Sequence, residues 1–474
     1  MPDVSPVVIT PVVISPVVIS PVAIAPVVIV VLGSIGLKGV VPKALISAYL
    51  CFFPVAIGLV KGLTSPEPMQ LGLMRTYHAS RWQTLLKLSA IVRGEGAALY
   101  TRDGRRVIDA ISSWWVTTHG HAHPRMMAAI AEQAQRLDQI IFAGWTHEPA
   151  EALASELVRI MPDALTRVFF SDSGSTSVEV ALKMALGYFA NQDEPRQRIL
   201  VLEHSYHGDT IGAMSVGARG VFNRAYAPLL FDVGTIPFPT AGAEQASLAV
   251  LETACRDRPA AFIVEPLLLG AGGMLTYPPA VLAQMRAICA AHGVLFIADE
   301  VMTGWGRTGT LLACQQAGVV PDILCLSKGL TGGSLPLAVT MASEAIFHAH
   351  YSTDRAKMFF HSSSYTANPI ACAAANANMA IWREEPVTER IALLSERQQQ
   401  RLASLATHPL VDNPRRVGTV TAIDVVDPQC QLQRYVCCGA VLCSRARAKG
   451  DFSNRRPLTT ERKRLRQFPD FHCL

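Results

Sequence analysis

The chain has 474 residues, enough for two or three domains around a large buried core. Half of the residues are hydrophobic and 17% are charged. The net charge of +5 comes from residues 445–466, where nine Lys or Arg residues face two acids, so we expect no nucleic-acid partner for the main part of the chain. Eleven cysteines without a CxxC pair indicate free thiols and a cytoplasmic location.

The first 90 residues differ from the rest. Residues 6–30 repeat a proline-led unit of five residues, which excludes a continuous helix and predicts an extended low-complexity arm over residues 1–41. Residues 44–60 are uncharged and close to the shortest membrane span of roughly 17 residues, with a buried helix as the alternative. Residues 42–87, with FFP at 52–54 and GLTSP at 62–66, resemble part of a binding-protein-dependent transporter permease. We therefore assign residues 42–90 to a permease-like hydrophobic fragment.

From residue 91 onward the pattern is typical of an α/β protein. Residues 95–100 and 104–109 predict a hairpin with an Asp-Gly turn. Five short apolar runs predict buried parallel strands: residues 168–170, 199–202, 261–264, 294–298 and 323–326. The helical spacing of Val178, Ala181, Leu182 and Ala185 predicts a packed helix. Strands that alternate with helices predict a mostly parallel sheet flanked by helices.

Two of these runs end in complementary groups. Asp299 follows residues 294–298, and Lys328 follows residues 323–326. Such a pair suits pyridoxal phosphate, because an amine holds the aldehyde as a Schiff base and an acid keeps the ring nitrogen protonated. The alternative for Asp299 is a cap on the next helix. The pair predicts an aminotransferase.

Other motifs carry candidate contacts. SDSGST at 171–176 joins a strand to a helix and suits a phosphate, although an N-cap without a ligand is the alternative. Tyr206 lies in the loop after the next strand and suits the face of a flat ring. Glu265 ends a strand, where it bonds either to a cofactor oxygen or to a structural Arg. Arg307 lies in a glycine-rich turn and suits pairing with an acid or a carboxylate.

Three histidines alternate at His119, His121 and His123, as metal ligands do on an extended segment. Because no Cys or acid accompanies them at ligand spacing, we expect no metal.

In this order the motifs resemble the class III aminotransferases over residues 91–426. They are SSWWVTTHGHAHP (112–124), SDSGST, SYHGDT (205–210), VEP (264–266), ADEVMTGWGRTG (298–309), LSKGLTGG (326–333) and HSSSYTANPIACAAA (361–375). The Trp114–Trp115 pair favours the branch of adenosylmethionine–8-amino-7-oxononanoate aminotransferases of biotin synthesis. That branch moves the amino group of S-adenosylmethionine to 8-amino-7-oxononanoate and forms 7,8-diaminononanoate.

The resemblance implies fold type I of the pyridoxal-phosphate transferases, a homodimer, and roles for individual residues. The implied catalytic residues are Lys328, Asp299 and Tyr206. The implied cofactor-binding residues are Gly174, Ser175, Tyr206, Glu265, Asp299, Lys328, Ser363 and Ser364. The implied substrate-binding residues are Trp114, Trp115, Tyr206, Lys328, Ser362 and Arg456. The serines at 362–364 are expected to reach the site of the neighbouring subunit.

The resemblance also predicts the domain organisation. Residues 91–390 form the large cofactor-binding domain with its N-terminal hairpin, residues 391–428 begin a small, incomplete α+β domain, and residues 429–474 form a divergent basic tail. Two alternatives remain for the function. One is another class III transaminase acting on an ω-amino acid, and the other is a catalytically impaired, membrane-associated fusion anchored by residues 27–60.

Overall fold

The computed structural model describes residues 91–220, 223–427, 430–438 and 442–446. The proline-led arm, the permease-like segment 42–87, the predicted anchor 27–60 and Arg456 lie outside the described residues. No helix among the described residues has the length and apolar character needed to cross a bilayer.

The chain forms β-strands from its first described residue onward. They are β1 (Ile91–Glu95), β2 (Ala98–Thr101), β3 (Arg106–Ile108), β4 (Arg167–Ser171), β5 (Ile199–Leu202), β6 (Gly234–Ile236), β7 (Ala261–Val264), β8 (Leu268–Leu269), β9 (Leu275–Thr276), β10 (Leu295–Asp299), β11 (Ile323–Leu326), β12 (Ala338–Ala342), β13 (Val411–Val417), β14 (Val420–Asp427), β15 (Cys430–Cys438) and β16 (Leu442–Ala446). The predicted hairpin is confirmed, since β2 and β3 pair antiparallel around the Asp-Gly turn.

Helices alternate with these strands. They are α1 (Pro124–Arg136), α2 (Glu148–Ile160), α3 (Gly174–Ala190), α4 (Ile211–Ser215), α5 (Glu244–Arg256), α6 (Pro279–Ala291), α7 (Glu344–His350), α8 (Pro369–Glu384) and α9 (Val387–Ala406). Short 3-10 turns occupy Arg224–Leu229, Ala313–Ala317, Lys328–Thr331 and Arg355–Lys357.

The central sheet has seven strands in the order β4-β12-β11-β10-β7-β5-β6. Strands β11, β10, β7, β5 and β6 pair parallel, which confirms the predicted mostly parallel sheet. The prediction of 168–170 as a buried parallel strand is wrong in its pairing. This run is the edge strand β4, and it pairs antiparallel with β12, which the sequence analysis missed. Strand β12 itself pairs antiparallel with β11.

Successive residues of a strand point to opposite sides of the sheet, and helices cover both sides. One face carries Ile199, Ile263 and Ile297, which pack against the buried face of α3. All four residues that predicted this helix are buried within α3: Val178, Ala181, Leu182 and Ala185. The other face carries Phe262 and Phe296 and packs against α2, α5, α6 and α8. Because β11, β10, β7, β5 and β6 run parallel, their carboxyl ends lie at one edge of the sheet.

A second sheet lies near the end of the described chain. It contains β13, β14, β15 and β16 in sequence order, all antiparallel. Its last two strands lie beyond residue 428, inside the segment predicted as a tail. The buried Arg415 joins this sheet to the main body, because its guanidinium donates to the carbonyl oxygens of Gly273 (2.8 Å) and Met274 (2.8 Å).

Candidate active site

Lys328 and Asp299 leave neighbouring parallel strands at the same edge of the sheet. Asp299, the last residue of β10, lies in register with Cys325 of β11, three residues before Lys328. The acid is 4% exposed. Lys328 opens a 3-10 turn with φ +44°, a strained conformation for a non-glycine residue. The structure thus brings together the two groups that the sequence analysis paired.

Electrostatics favour a reactive amine at Lys328. Burial lowers the pKa of its amino group, and Arg307 adds to this shift, while Asp299 and Glu265 oppose it. A lowered pKa makes the neutral, nucleophilic form of the amine easier to reach.

The lysine turn is held from behind by Asn378, which the sequence analysis did not identify. This fully buried side chain donates from Nδ2 to the carbonyl oxygens of Gly329 (2.9 Å) and Leu330 (2.9 Å). Its Oδ1 lies 2.7 Å from Nε2 of His119. Trp305 packs against Gly329, where an added Cβ would lie 2.5 Å from the Trp305 Cβ. These contacts fix the direction in which Lys328 leaves the sheet.

His207 is a second residue that the sequence analysis missed. Its Nδ1 lies 2.7 Å from Oδ2 of Asp299, and the imidazole side chain is fully buried. The other oxygen of Asp299 accepts from the Val301 N–H (3.1 Å), which lies in a turn and not at the start of a helix, so the alternative of a helix cap is wrong. These two contacts fix the plane of the carboxylate. His207 lies within the SYHGDT motif, but no sequence signal linked it to an acid 92 residues away.

Among the described residues, Glu265 is hydrogen-bonded to backbone N–H groups and not to the structural Arg that the sequence analysis offered as one alternative. It accepts hydrogen bonds from the N–H groups of Tyr206 (3.0 Å) and Gly270 (3.1 Å). Burial raises the pKa of Glu265 to about 7, with His207 opposing this shift and Asp299 adding to it. Its carboxyl group therefore fastens two loops beside Asp299.

The SDSGST segment begins α3. Ser173 and Thr176 form a reciprocal capping box, which confirms the predicted N-cap. Gly174 and Ser175 are the first helical residues, so their N–H groups have no partner within the helix. The Ser175 hydroxyl accepts from the Asp209 N–H (3.2 Å), which attaches the Tyr206 loop to this helix end.

Tyr206 projects from that loop and is 42% exposed. Its hydroxyl donates to Oδ2 of Asp209 (2.9 Å). Burial and this carboxylate both raise the pKa of Tyr206. The phenol therefore stays protonated, and it belongs to a loop that Glu265 and Ser175 hold beside the site.

The two tryptophans of the SSWW motif have different environments. Trp114 is 66% exposed, whereas Trp115 is 7% exposed and packs with Leu268, Met274 and Met302. All four residues of Ser112–Trp115 have positive φ, between +49° and +73°, which makes the segment a left-handed turn. Such a turn costs roughly 1–2 kcal/mol for each L-residue, so other contacts must stabilise it.

Arg307 supplies part of that stabilisation. Its guanidinium donates to the carbonyl oxygens of Trp115 (3.1 Å) and Thr117 (2.7 Å). The side chain is 9% exposed. The contacts with Trp115 and Thr117 attach the tryptophan turn to the loop after β10, a role that the sequence analysis, which expected pairing with an acid or a carboxylate, did not anticipate.

The predicted serines lie in a loop before α8. Ser362 and Ser364 are exposed, and Ser363 donates from Oγ to Oδ2 of Asp172 (3.0 Å). Asp172 also accepts from Thr176 of the helix end (3.0 Å). The serine loop is therefore joined to the helix end of its own chain.

The three histidines of the SSWW segment have separate partners. His119 contacts Asn378 (2.7 Å), His121 contacts Asp109 (2.8 Å), and His123 lies 3.5 Å from Glu385. Across the described ranges, no cluster of three or more His, Cys, Asp or Glu residues has the arrangement of a metal site.

The residues at this edge suit the three parts of pyridoxal phosphate. The N-terminus of α3 at Gly174 and Ser175 suits the phosphate. Gly208 packs directly against this helix end, since a Cβ on Gly208 would lie 2.1 Å from the Ser175 hydroxyl. The oriented carboxylate of Asp299 suits the ring nitrogen, and the amine of Lys328 suits the aldehyde.

Comparison with known proteins identifies the family. The model of the aminotransferase class-III family matches residues 79–452. An adenosylmethionine-8-amino-7-oxononanoate aminotransferase of Synechococcus elongatus is 51% identical over 345 residues, which are 71% of this chain and 81% of that enzyme. The crystal structure of the enzyme of the same name from Methanocaldococcus jannaschii has a TM-score of 0.70 and 33% identity, over 75% of this chain and 84% of that one.

A further solved structure is an amine transaminase from an uncultivated Pseudomonas species in its PLP-bound form. It has a TM-score of 0.67 and 34% identity, over 72% of this chain and 82% of that one. The family match, the fold type I architecture and the site together show that this chain belongs to the class-III aminotransferases, which are pyridoxal-phosphate-dependent enzymes.

Proposed function

We propose that this enzyme transfers the amino group of S-adenosylmethionine to 8-amino-7-oxononanoate, giving 7,8-diaminononanoate for biotin synthesis. The observation that carries the proposal is the tryptophan turn Ser112–Trp115 beside the lysine turn. Its exposed Trp114 offers apolar surface to a long aliphatic keto acid, which has few other groups to hold. The 51% identity to the Synechococcus elongatus enzyme supports the same substrates.

When bound, pyridoxal phosphate takes up an amino group from one substrate and passes it to the next, with its ring withdrawing electrons from the reacting carbon. The chain's own groups have four tasks. Lys328 moves a proton at its Nζ between the two reacting carbons, which its lowered pKa favours. Asp299 keeps the ring nitrogen protonated, and His207 holds Asp299 in place. Gly174 and Ser175 bind the phosphate.

The remaining predicted residues have supporting roles in this proposal. Tyr206 flanks the ring and the substrate with its partly exposed phenol. Glu265 accepts a hydrogen bond from the Tyr206 N–H and so holds the Tyr206 loop beside the cofactor, which it also contacts in this proposal. Ser362 and Ser364 contact the site of a second subunit, and Arg456 binds the substrate carboxylate.

A homodimer is part of the proposal. Large apolar side chains are exposed on two segments near the serine loop: Ile141 (64%), Trp145 (67%), Phe360 (59%) and Tyr365 (62%). Gln139 ties these segments together by donating from Nε2 to the Ser364 carbonyl oxygen (2.6 Å). A patch of this kind on a protein surface marks an interface. Light scattering on the purified protein tests this, and a monomer contradicts it.

We also propose a cytoplasmic location. The five described buried cysteines, Cys255, Cys289, Cys314, Cys325 and Cys372, are free thiols, as a reducing compartment requires. We propose no transport function for residues 42–87, although they resemble part of a permease. The class-III family match begins at residue 79 and so already includes the end of this segment.

A second candidate is an amine transaminase that does not use S-adenosylmethionine. It is favoured by the similar fold of the Pseudomonas amine transaminase, at 34% identity. The two candidates differ in the amino donor, and both require Lys328.

A comparison of amino donors tests the proposal. Purified enzyme with pyridoxal phosphate is given 8-amino-7-oxononanoate together with S-adenosylmethionine, ornithine or 4-aminobutyrate, and 7,8-diaminononanoate is measured by mass spectrometry. We expect product with S-adenosylmethionine and none from the Lys328→Ala control. Product from the other donors alone would favour the second candidate.

A further inference from the structure

The tryptophan turn Ser112–Trp115 is fastened at its start by Asp109. Oδ1 of Asp109 accepts from the Ser113 N–H (2.9 Å), and Oδ2 accepts from the Ser113 hydroxyl (2.6 Å). Oδ2 also lies 2.8 Å from Nε2 of His121. The Asp109 side chain is 7% exposed, so these contacts are largely shielded from water.

Asp109 is itself fixed to the N-terminal hairpin. Its N–H donates to the Ala97 carbonyl oxygen (2.9 Å). The second partner, His121, exchanges two backbone hydrogen bonds with Gly96 (3.1 and 2.7 Å). The carboxylate thus lies between the hydrogen-bonded hairpin and a turn that is unfavourable for L-residues.

The other end of the turn meets the lysine turn. Thr118 N–H donates to the Gly332 carbonyl oxygen (3.4 Å), and a Cβ on Gly333 would lie 2.6 Å from the Val116 carbonyl carbon. Lys328, Gly332 and Gly333 belong to the same loop after β11. A change in the turn therefore changes the wall of the site at Gly332 and Gly333, while the bonds of Asn378 to Gly329 and Leu330 hold the start of the loop at Lys328.

We propose that Asp109 is a positioning residue for substrate selection, holding Ser112–Trp115 in the left-handed turn that keeps the Trp114 indole exposed beside the lysine loop. This rests on the proposed function, in which Trp114 contacts the aliphatic keto acid. The carboxylate suits the task because its two oxygens accept both donors of Ser113 at once. Asp109 touches neither the substrate nor the cofactor in this role.

The first test is kinetic and uses the full chain with bound pyridoxal phosphate. Variants D109A, D109N and S113A are compared with D163N, which changes an exposed carboxylate in the loop before β4. We expect D109A to raise KM for 8-amino-7-oxononanoate about tenfold to a hundredfold, as loss of a hydrogen bond to a buried charge does. The rate of the half-reaction with S-adenosylmethionine should stay within about twofold of wild type. S113A should shift KM in the same direction by less, and D163N should leave it unchanged.

The second test is structural and does not depend on the substrate assignment. Hydrogen exchange followed by mass spectrometry on residues 109–121 reports the Ser113 and Trp115 amides, which are bonded to Asp109 and Ile111. We expect faster exchange there in D109A and D109N than in wild type. Unchanged protection in both variants overturns the inference.

The outcomes separate this inference from the proposed function. If wild type does not turn over 8-amino-7-oxononanoate, the proposed function fails and the exchange measurement alone decides the role of Asp109. If wild type is active and D109N and S113A keep wild-type KM, the inference fails while the function stands. Equal losses in both half-reactions in all three variants would also overturn it, because they would show a general effect on the fold.

Discussion

Gly208→Ala tests whether the N-terminus of α3 is the phosphate site. Gly208 has φ +133°, a conformation that L side chains rarely adopt. An added Cβ would lie 2.1 Å from Oγ of Ser175, 2.7 Å from its Cβ and 2.9 Å from its Cα. Rotation of the hydroxyl relieves only the first contact. The loop must therefore move away from the first turn of α3.

The size of the effect follows from these contacts. Binding of a phosphate requires the loop and the helix end to return to the geometry of the wild type. The backbone strain at residue 208 is then about 1–3 kcal/mol, and a weakened hydrogen bond to a charged oxygen adds about 1.5–3 kcal/mol. Because the two partly overlap, we expect a total of about 2–4 kcal/mol, which is about thirtyfold to a thousandfold in Kd.

The assay is a titration of cofactor-free protein with pyridoxal phosphate, followed by absorbance. The matched control is Gly220→Ala, where an added Cβ meets nothing within 4 Å and φ is not positive. We expect weaker binding for Gly208→Ala alone. If both variants bind the cofactor as wild type does, the assignment of the phosphate to Gly174 and Ser175 is refuted.

Two further predictions concern the acids of the site. Asp299→Asn keeps the side-chain volume but removes the carboxylate that faces His207 and that would keep the ring nitrogen protonated. We therefore expect kcat to fall by at least about a hundredfold in steady-state assays. Activity close to that of the wild type would contradict this prediction. Glu265 has a raised pKa of about 7, so the native state binds more protons than the unfolded chain above pH 4.5. The free energy of unfolding should therefore decrease by about 3 kcal/mol between roughly pH 4.5 and 7 and then level off. Urea unfolding of cofactor-free protein should show this slope in wild type and lose it in Glu265→Gln; equal slopes would argue against the burial effect.

Strands that form mostly apolar runs were predictable from the sequence. The runs that gave β5, β7, β10 and β11 consist mainly of aliphatic residues, with a Phe in β7 and β10, and each is buried on both faces. Strand β12 was missed because its residues, AVTMA, include small side chains and follow a segment rich in Gly and Ser. Its antiparallel insertion also changed the pairing of β4. Local composition thus predicted which segments form strands, and tertiary packing decided their neighbours.

The candidate site also contains residues that could be predicted from the sequence and contacts that could not. Asp299 and Lys328 were predictable, because the carboxyl ends of adjacent parallel strands meet at one edge. The contacts of His207 and Asn378 were not, since each joins segments that are far apart in sequence: 92 residues separate His207 from Asp299, and 49 separate Asn378 from Gly329. The left-handed conformation of Ser112–Trp115 was also unpredictable, because it is imposed by bonds to Asp109 and Arg307 against the local preference of the chain.

The central claim is that Lys328 is the amine that carries the cofactor at the edge of the sheet. Purified full-length protein is mixed with pyridoxal phosphate, reduced with borohydride and digested, and the pyridoxyl group is located by mass spectrometry. We predict a single modified peptide with the group on Lys328, accompanied by loss of the absorbance of the bound cofactor, and no adduct in Lys328→Ala. An adduct of equal yield in Lys328→Ala, or one located on another lysine of the wild type, would contradict the claim.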